Sequence, residues 1–167
     1  MLVNVIKSFE IGDEISTGKA DLGLSRVVPL QKDIKTEIIH EEPVILVGSN
    51  LHKGTKNLIE SEVLSNYRLI THNHPDYWDS LLINVKRHYP TVRTMVVNQI
   101  EVTKRFIESG LGVSYLPYSM VKDELITNNL VEVKCEKVPP PTSSTYVLTK
   151  IETNEARSFI KFLKGAL

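Results

Sequence analysis

The sequence predicts an α/β fold. Segments rich in apolar and β-branched residues alternate with segments whose apolar residues recur every three or four positions, and glycine or proline punctuates most of the junctions. Alternation of that kind packs helices against mostly parallel sheets. With 167 residues, 41% of them hydrophobic, the chain can bury a core in one ordinary domain or in two small lobes.

Taken in order, Leu2 to Ile6 is a short apolar run and is expected as a strand. Glu10 to Thr17 follows with Ile11 and Ile15 one helical turn apart, and Gly18 supplies the left-handed residue that ends a helix. Asp21 to Ser25 is the next strand. Past Pro29 come Thr36 to His40 and, after Glu41 and Glu42, the very apolar Val44 to Val47. Asn50 to Glu60 is polar and broken by Gly54, so it is expected as a connection, with Ser61 capping a short helix. Tyr67 to Thr71 is a strand, and His74-Pro75-Asp76 reads as a helix start with proline in the first position. Trp78, Leu81, Leu82, Val85 and Tyr89 make the best amphipathic face of the chain until Pro90 stops it. Strand Val92 to Val97, helix Glu101 to Ser109 and the tight turn Gly110-Leu111-Gly112 lead into strand Val113 to Leu116. Pro117 to Ile126 is expected as helix and Leu130 to Cys135 as strand. Pro139-Pro140-Pro141 is a stiff linker into strand Ser144 to Thr149. Thr153 caps a last helix with Ala156, Phe159, Ile160, Leu163 and Leu167 on one face.

Charge and cysteine content exclude several classes of function. Lys plus Arg and Asp plus Glu both number 20, and no basic stripe gathers, so nothing electrostatic favours direct contact with DNA. Cys135 is the only cysteine; no internal disulfide or Cys/His metal cluster can form around it, and a reducing cytoplasm is the expected home. The N-terminus acquires acidic residues too early for a signal peptide, and no stretch approaches the ~20 apolar residues of a membrane span. No GxSxG motif and no nucleophile beside a base appear, so no enzyme is expected. Gly110 and Gly112 fit neither a Walker motif nor GxGxxG and read as backbone devices.

Three signatures carry a resemblance. Ser8 to Arg26, SFEIGDEISTGKADLGLSR, has a helix ending in glycine, then Asp-x-Gly and a strand. Glu41 to His52, EEPVILVGSNLH, has a strand leading from one lobe to another, and Phe106 to Pro117 reads FIESGLGVSYLP. In this order and spacing they resemble the effector-binding domain of LysR-type transcription regulators. The resemblance implies two Rossmann-like lobes of the type 2 periplasmic-binding-protein kind, the first from residues 1 to 43 and 149 to 167, the second from 44 to 148. It also implies that the first lobe is incomplete, because in such regulators a strand and helix precede the strand matching Leu2 to Ile6, with a winged helix-turn-helix farther upstream. DNA would then be bound only through that absent domain. Self-association is expected, because the missing strand leaves apolar surface and unpaired edges.

A small-molecule effector, a carboxylate or another oxyanion, is expected in the cleft between such lobes. Ser8 lies between a strand and a helix, where its hydroxyl and free helix N–H groups can meet an anion; its alternative reading is an N-cap only. Arg26 follows a strand, and the resemblance makes its planar guanidinium the main charge contact. Thr71, His72 and Asn73 hold the equivalent place in the second lobe, and Gln99 and Ile100 form its other loop, with an ordinary helix entry as their alternative reading. Trp78 is expected in the core. His72 and His74 have no carboxylate or cysteine at ligand spacing, so no metal is expected, and no cofactor. A solute-binding protein of a transport system is the alternative function, and the upstream sequence would discriminate: a helix-turn-helix for the regulator, a signal peptide for the transporter.

Overall fold

The computed structural model describes residues 1 to 54 and 57 to 167, which fall into two units: Met1–Glu41 with Ser144–Leu167, and Glu42–Ser143. In the first unit, α1 (Ser8–Ser16) starts where the Glu10 carboxylate accepts the Lys7 N–H at 3.3 Å, and it gives way to Gly18 at φ 74°. Strand β1 (Leu22–Ser25) pairs antiparallel with β7 (Thr142–Thr149), Leu22 opposite Thr149 and Ser25 opposite Tyr146. Gly23 lets α1 lie on this strand, since a Cβ there would stand 2.3 Å from Cγ2 of Ile11. The final helix α6 (Asn154–Ala166) begins with the Ala156 N–H donating to Thr153 Oγ1 at 3.1 Å, and it buries Ala156 and Ile160. Ile15, Val147 and Leu148 are the other buried apolar side chains here.

The expected first strand does not form. Leu2 to Ile6 has no regular secondary structure and pairs with no strand among the described residues, and Leu2, Val3 and Val5 are exposed. Apolar, β-branched composition favours an extended backbone, yet a strand exists only against a ladder.

Strand β2 (Lys35–Ser49), one continuous strand of 15 residues where two were expected, starts in the first unit, and the second unit is built around its later part from Glu42 onward. Pro43 does not interrupt it, and the next N–H, that of Val44, donates to the Pro141 carbonyl at 3.0 Å. Ser49 Oγ then accepts the Leu51 N–H at 3.1 Å, starting a 3-10 turn at Asn50–His52. Residues 55 and 56 of the expected connection lie outside the described residues. Helix α2 (Glu60–Asn66) is not capped by Ser61. Its N-cap is Ile59, and its first amides are met from elsewhere: Ser61 N–H by the Glu136 carboxylate at 3.0 Å and Glu60 N–H by the Lys134 carbonyl at 2.9 Å.

Strand β3 (Leu69–Thr71), helix α3 (Trp78–His88), strand β4 (Thr94–Val96), helix α4 (Ile100–Glu108), strand β5 (Ser114–Pro117), helix α5 (Tyr118–Ile126) and strand β6 (Leu130–Glu132) complete the unit. Helix α3 starts at Trp78 after N-cap Tyr77, later than the His74-Pro75 signal predicted. The indole N–H of Trp78 donates to Asn73 Oδ1 at 2.9 Å, across the residues that precede the helix.

Among the described residues parallel pairing joins β3 with β4, Leu69 opposite Thr94, and two isolated bridges, Leu69 with Val113 just before β5 and Ile59 with Lys134. β2 runs antiparallel to both β5 and β6. The expectation of mostly parallel sheets therefore fails where β2 and β7 enter, because these strands carry the chain from one unit to the other and meet their neighbours head to tail. Alternate residues of β2 feed two core layers. Val44 and Leu46 join Val63, Leu69, Trp78, Leu81, Val85 and Tyr115, whereas Ile45 and Val47 join Ile70, Ile107, Leu116 and Val121. Gly112 permits the close approach of β5 to β3, since a Cβ would stand 2.7 Å from the Arg68 carbonyl oxygen.

Candidate functional site

In the first unit the structure brings Ser8 and Arg26 together. Ser8 is the first residue of α1 and not its cap, which is Lys7. Being inside the first turn frees its hydroxyl from the helix, and Oγ accepts the Arg26 N–H at 3.3 Å. The neighbouring Ser25 hydroxyl lies 3.3 Å from the Ser8 carbonyl oxygen and 2.8 Å from that of Val27. Arg26 is half-buried at the end of β1. It is the backbone of Arg26 that meets Ser8, and its side chain carries a permanent positive charge, a group suited to an oxyanion.

In the second unit Thr71, His72 and Asn73 follow β3 directly. Thr71 is buried. His72 has φ 60°, one of two non-glycine residues in the left-handed region among those described, and its Nδ1 lies 2.8 Å from Thr71 Oγ1. Its Nε2 stands 4.0 Å from Asp79 Oδ1 on the first turn of α3. Asn73 is buried, and its amide group donates to Ser114 Oγ at 3.0 Å and to the Ile70 carbonyl at 3.5 Å while its Oδ1 accepts from Trp78. Trp78 is 2% exposed and belongs to the core, as its spacing predicted. Gln99 is the exposed N-cap of α4, its carbonyl accepting from the N–H and hydroxyl of Thr103. Ile100 is a helical residue packed on the second core layer and not part of a loop.

Sequence reasoning missed Glu60. Fully buried, it accepts hydrogen bonds from Tyr89 (2.8 Å), Tyr115 (3.1 Å) and the backbone N–H groups of Glu136, Lys137 and Val138 (3.1, 2.7 and 3.3 Å). Burial, followed by the effect of the Glu60 carboxylate, pushes both phenols well above their ordinary range. Burial pushes the nearby Cys135 thiol up to about 11. A glutamate in a polar stretch gave no signal of this role. Two recesses, of about 210 and 470 Å³, lie beside β6, with Asn57, Leu58 and Glu132 lining both; neither includes an expected site residue. No group of three or more His, Cys, Asp or Glu side chains suited to a metal occurs among the described residues. No helix among them is long and apolar enough to cross a membrane.

Residues 3 to 167 match the family model of the LysR substrate binding domain. The chain belongs to that family, which is a family of regulator domains and not of enzymes. It is 40% identical over 169 residues to the HTH-type transcriptional regulator CitR of Bacillus subtilis (strain 168), covering 98% of this chain and 57% of CitR. A second relative in the same organism, the uncharacterized HTH-type transcriptional regulator YxjO, is 29% identical over 157 residues, covering 93% of this chain and 53% of YxjO. The chain thus spans little more than half the length of these curated relatives. Among solved structures it superimposes on the apo-form regulatory domain of HypT from Salmonella typhimurium with a TM-score of 0.75 at 16% identity, covering 99% of this chain and 83% of that one, a likeness of fold. These relatives are regulators, so the solute-binding alternative gains no support.

Proposed function

We propose that this chain senses a small anionic metabolite, a carboxylate or another oxyanion, for a cytoplasmic LysR-type transcription regulator whose DNA contacts are made by residues outside it. The observation that carries the reading is the family match across residues 3 to 167, joined to the convergence of Ser8 and Arg26. Arg26 supplies the charge and Ser8 a hydroxyl in the first unit; Thr71 and His72 supply polar groups in the second. The two units act as the two lobes of the sensing domain. Gln99 offers a further polar side chain, and Ile100 sets the position of that turn by packing. Effector binding need only favour one arrangement of the regulator to shift its population. The zero net charge of the chain agrees with an effector role separate from DNA binding.

Screening small carboxylates and inorganic oxyanions against the full-length regulator by thermal shift tests the reading. A ligand present at about 100 times its Kd adds about 2.7 kcal/mol of stability. Arg26→Ala should then weaken binding by about 1.5 to 3 kcal/mol, the scale of a hydrogen bond to a charged group. Binding of uncharged ligands alone, or calorimetric affinity untouched by Arg26→Ala, would overturn it.

A further inference from the structure

Asn73 stands apart from its neighbours Thr71 and His72, because it is buried and both the nitrogen and the oxygen of its carboxamide are engaged within the unit. Its nitrogen is shared between Ser114 Oγ at 3.0 Å and the Ile70 carbonyl at 3.5 Å, and its oxygen accepts the Trp78 indole N–H at 2.9 Å. Those partners belong to β3, β5 and α3, and the Ser114 hydroxyl itself donates to the Ile70 carbonyl at 2.7 Å. Immediately before this three-way tie, His72 takes φ 60°. A non-glycine residue pays a steric penalty there and stays only when its surroundings impose the conformation. The tie also spans the four residues between Asn73 and Trp78, so that the backbone turns at His72 and does not run straight into α3.

We infer that Asn73 is a positioning residue, which holds His72 in the left-handed conformation and so fixes the imidazole at the carboxyl end of β3. Thr71 Oγ1 engages Nδ1 at 2.8 Å. With the Thr71 hydroxyl donating, Nε2 carries the ring proton and is the donor offered to an oxygen of the effector. The role of Nε2 rests on the proposal that Thr71 and His72 belong to the effector site; the hold of Asn73 on His72 does not.

A thermodynamic cycle without ligand tests that hold. Substituting His72→Gly and His72→Ala both remove the ring, and their difference isolates the backbone term. With Asn73 intact, Gly should exceed Ala in folding equilibrium constant by about five- to thirtyfold, the cost of a left-handed residue. In the Asn73→Ala background the advantage should vanish or reverse, because the released loop no longer demands a positive φ. In the ring-bearing protein, nitrogen NMR should show one dominant His72 tautomer that Asn73→Ala converts to a mixture. If Asn73→Ala does not fold, Trp78→Phe and Ser114→Ala each remove one partner and should shrink the Gly advantage in part. An advantage of equal size in every background, with the ring signals unmoved, overturns the inference. Failure of the effector reading would leave the cycle intact, since no ligand enters it.

Discussion

The backbone N–H of Arg26 donates to the hydroxyl of Ser8 across 3.3 Å, tying the end of β1 to the first turn of α1. The tie is part-buried, so losing it strands a polar N–H. Ser8→Ala should therefore lower stability by about 1 kcal/mol, whereas Ser8→Thr, which keeps a hydroxyl, should lower it less. Urea unfolding midpoints measure both. Equal losses for the two variants would show that the hydroxyl is not the stabilising group.

Glu60 is buried with five hydrogen-bond donors aimed at its two oxygens, and no ion pair to it occurs among the described residues. Glu60→Gln puts an amide nitrogen among those donors. We expect a loss of about 3 kcal/mol or more, since a buried group loses charged hydrogen bonds and gains donor-to-donor conflict. A loss below about 1 kcal/mol by chemical denaturation would mean that residues 136 to 138 are held by other contacts.

His52 is expected to make stability pH-dependent. Its ring stacks on Tyr67 with centroids 3.7 Å apart, and burial lowers its pKa below the ordinary 6.5. The unfolded chain then binds a proton more readily than the folded one. This stabilising contribution is fully present above pH 6.5 and is lost as pH falls from there through the folded pKa. His52→Phe keeps an aromatic ring without the titration. Subtracting the two unfolding profiles between about pH 7.5 and 5 should leave a fall toward acid that belongs to His52. Parallel profiles would remove it as the cause.

Leu2 to Ile6 should exchange its amide hydrogens at nearly unprotected rates, while those of Leu69 to Thr71, paired on both sides of β3, should be slow. The exposed Leu2, Val3, Val5 and Phe9 offer apolar surface for self-association. Sedimentation should reveal concentration-dependent association, weakened in a Leu2→Asp, Val5→Asp double variant. A chain that remains monomeric at every concentration would sink this expectation.

Much of this could be read from the sequence where a local rule and the packing agree. Trp78, Leu81 and Val85 announce α3 by spacing, and all three are buried. Thr153 announces the start of α6, and Gly110, at φ 77°, the return toward β5. Pairing partners were not legible, because composition favours a strand at Leu2 to Ile6 without saying what lies beside it. Strand direction was missed for a similar reason: β2 has the apolar content of any central strand, and only the fold shows that it opposes β5 and β6. Ser8 and Arg26 were singled out through a resemblance, and the structure brings them into contact. The different settings of His72 and Asn73 depend on a backbone torsion and on the distant Ser114, neither of which a string of neighbours encodes.

The Val44 N–H bonded to the Pro141 carbonyl marks where the chain enters and leaves the second unit, side by side. Everything from Glu42 to Ser143 is thus an excursion that ends where it began. On a ribosome the order of birth follows from this layout. Leu22 is made early, but its ladder partner Thr149 emerges only after the whole excursion has been synthesised. The second unit can settle first as a finished piece, and the first unit must wait, half made, for the return strand to close its sheet.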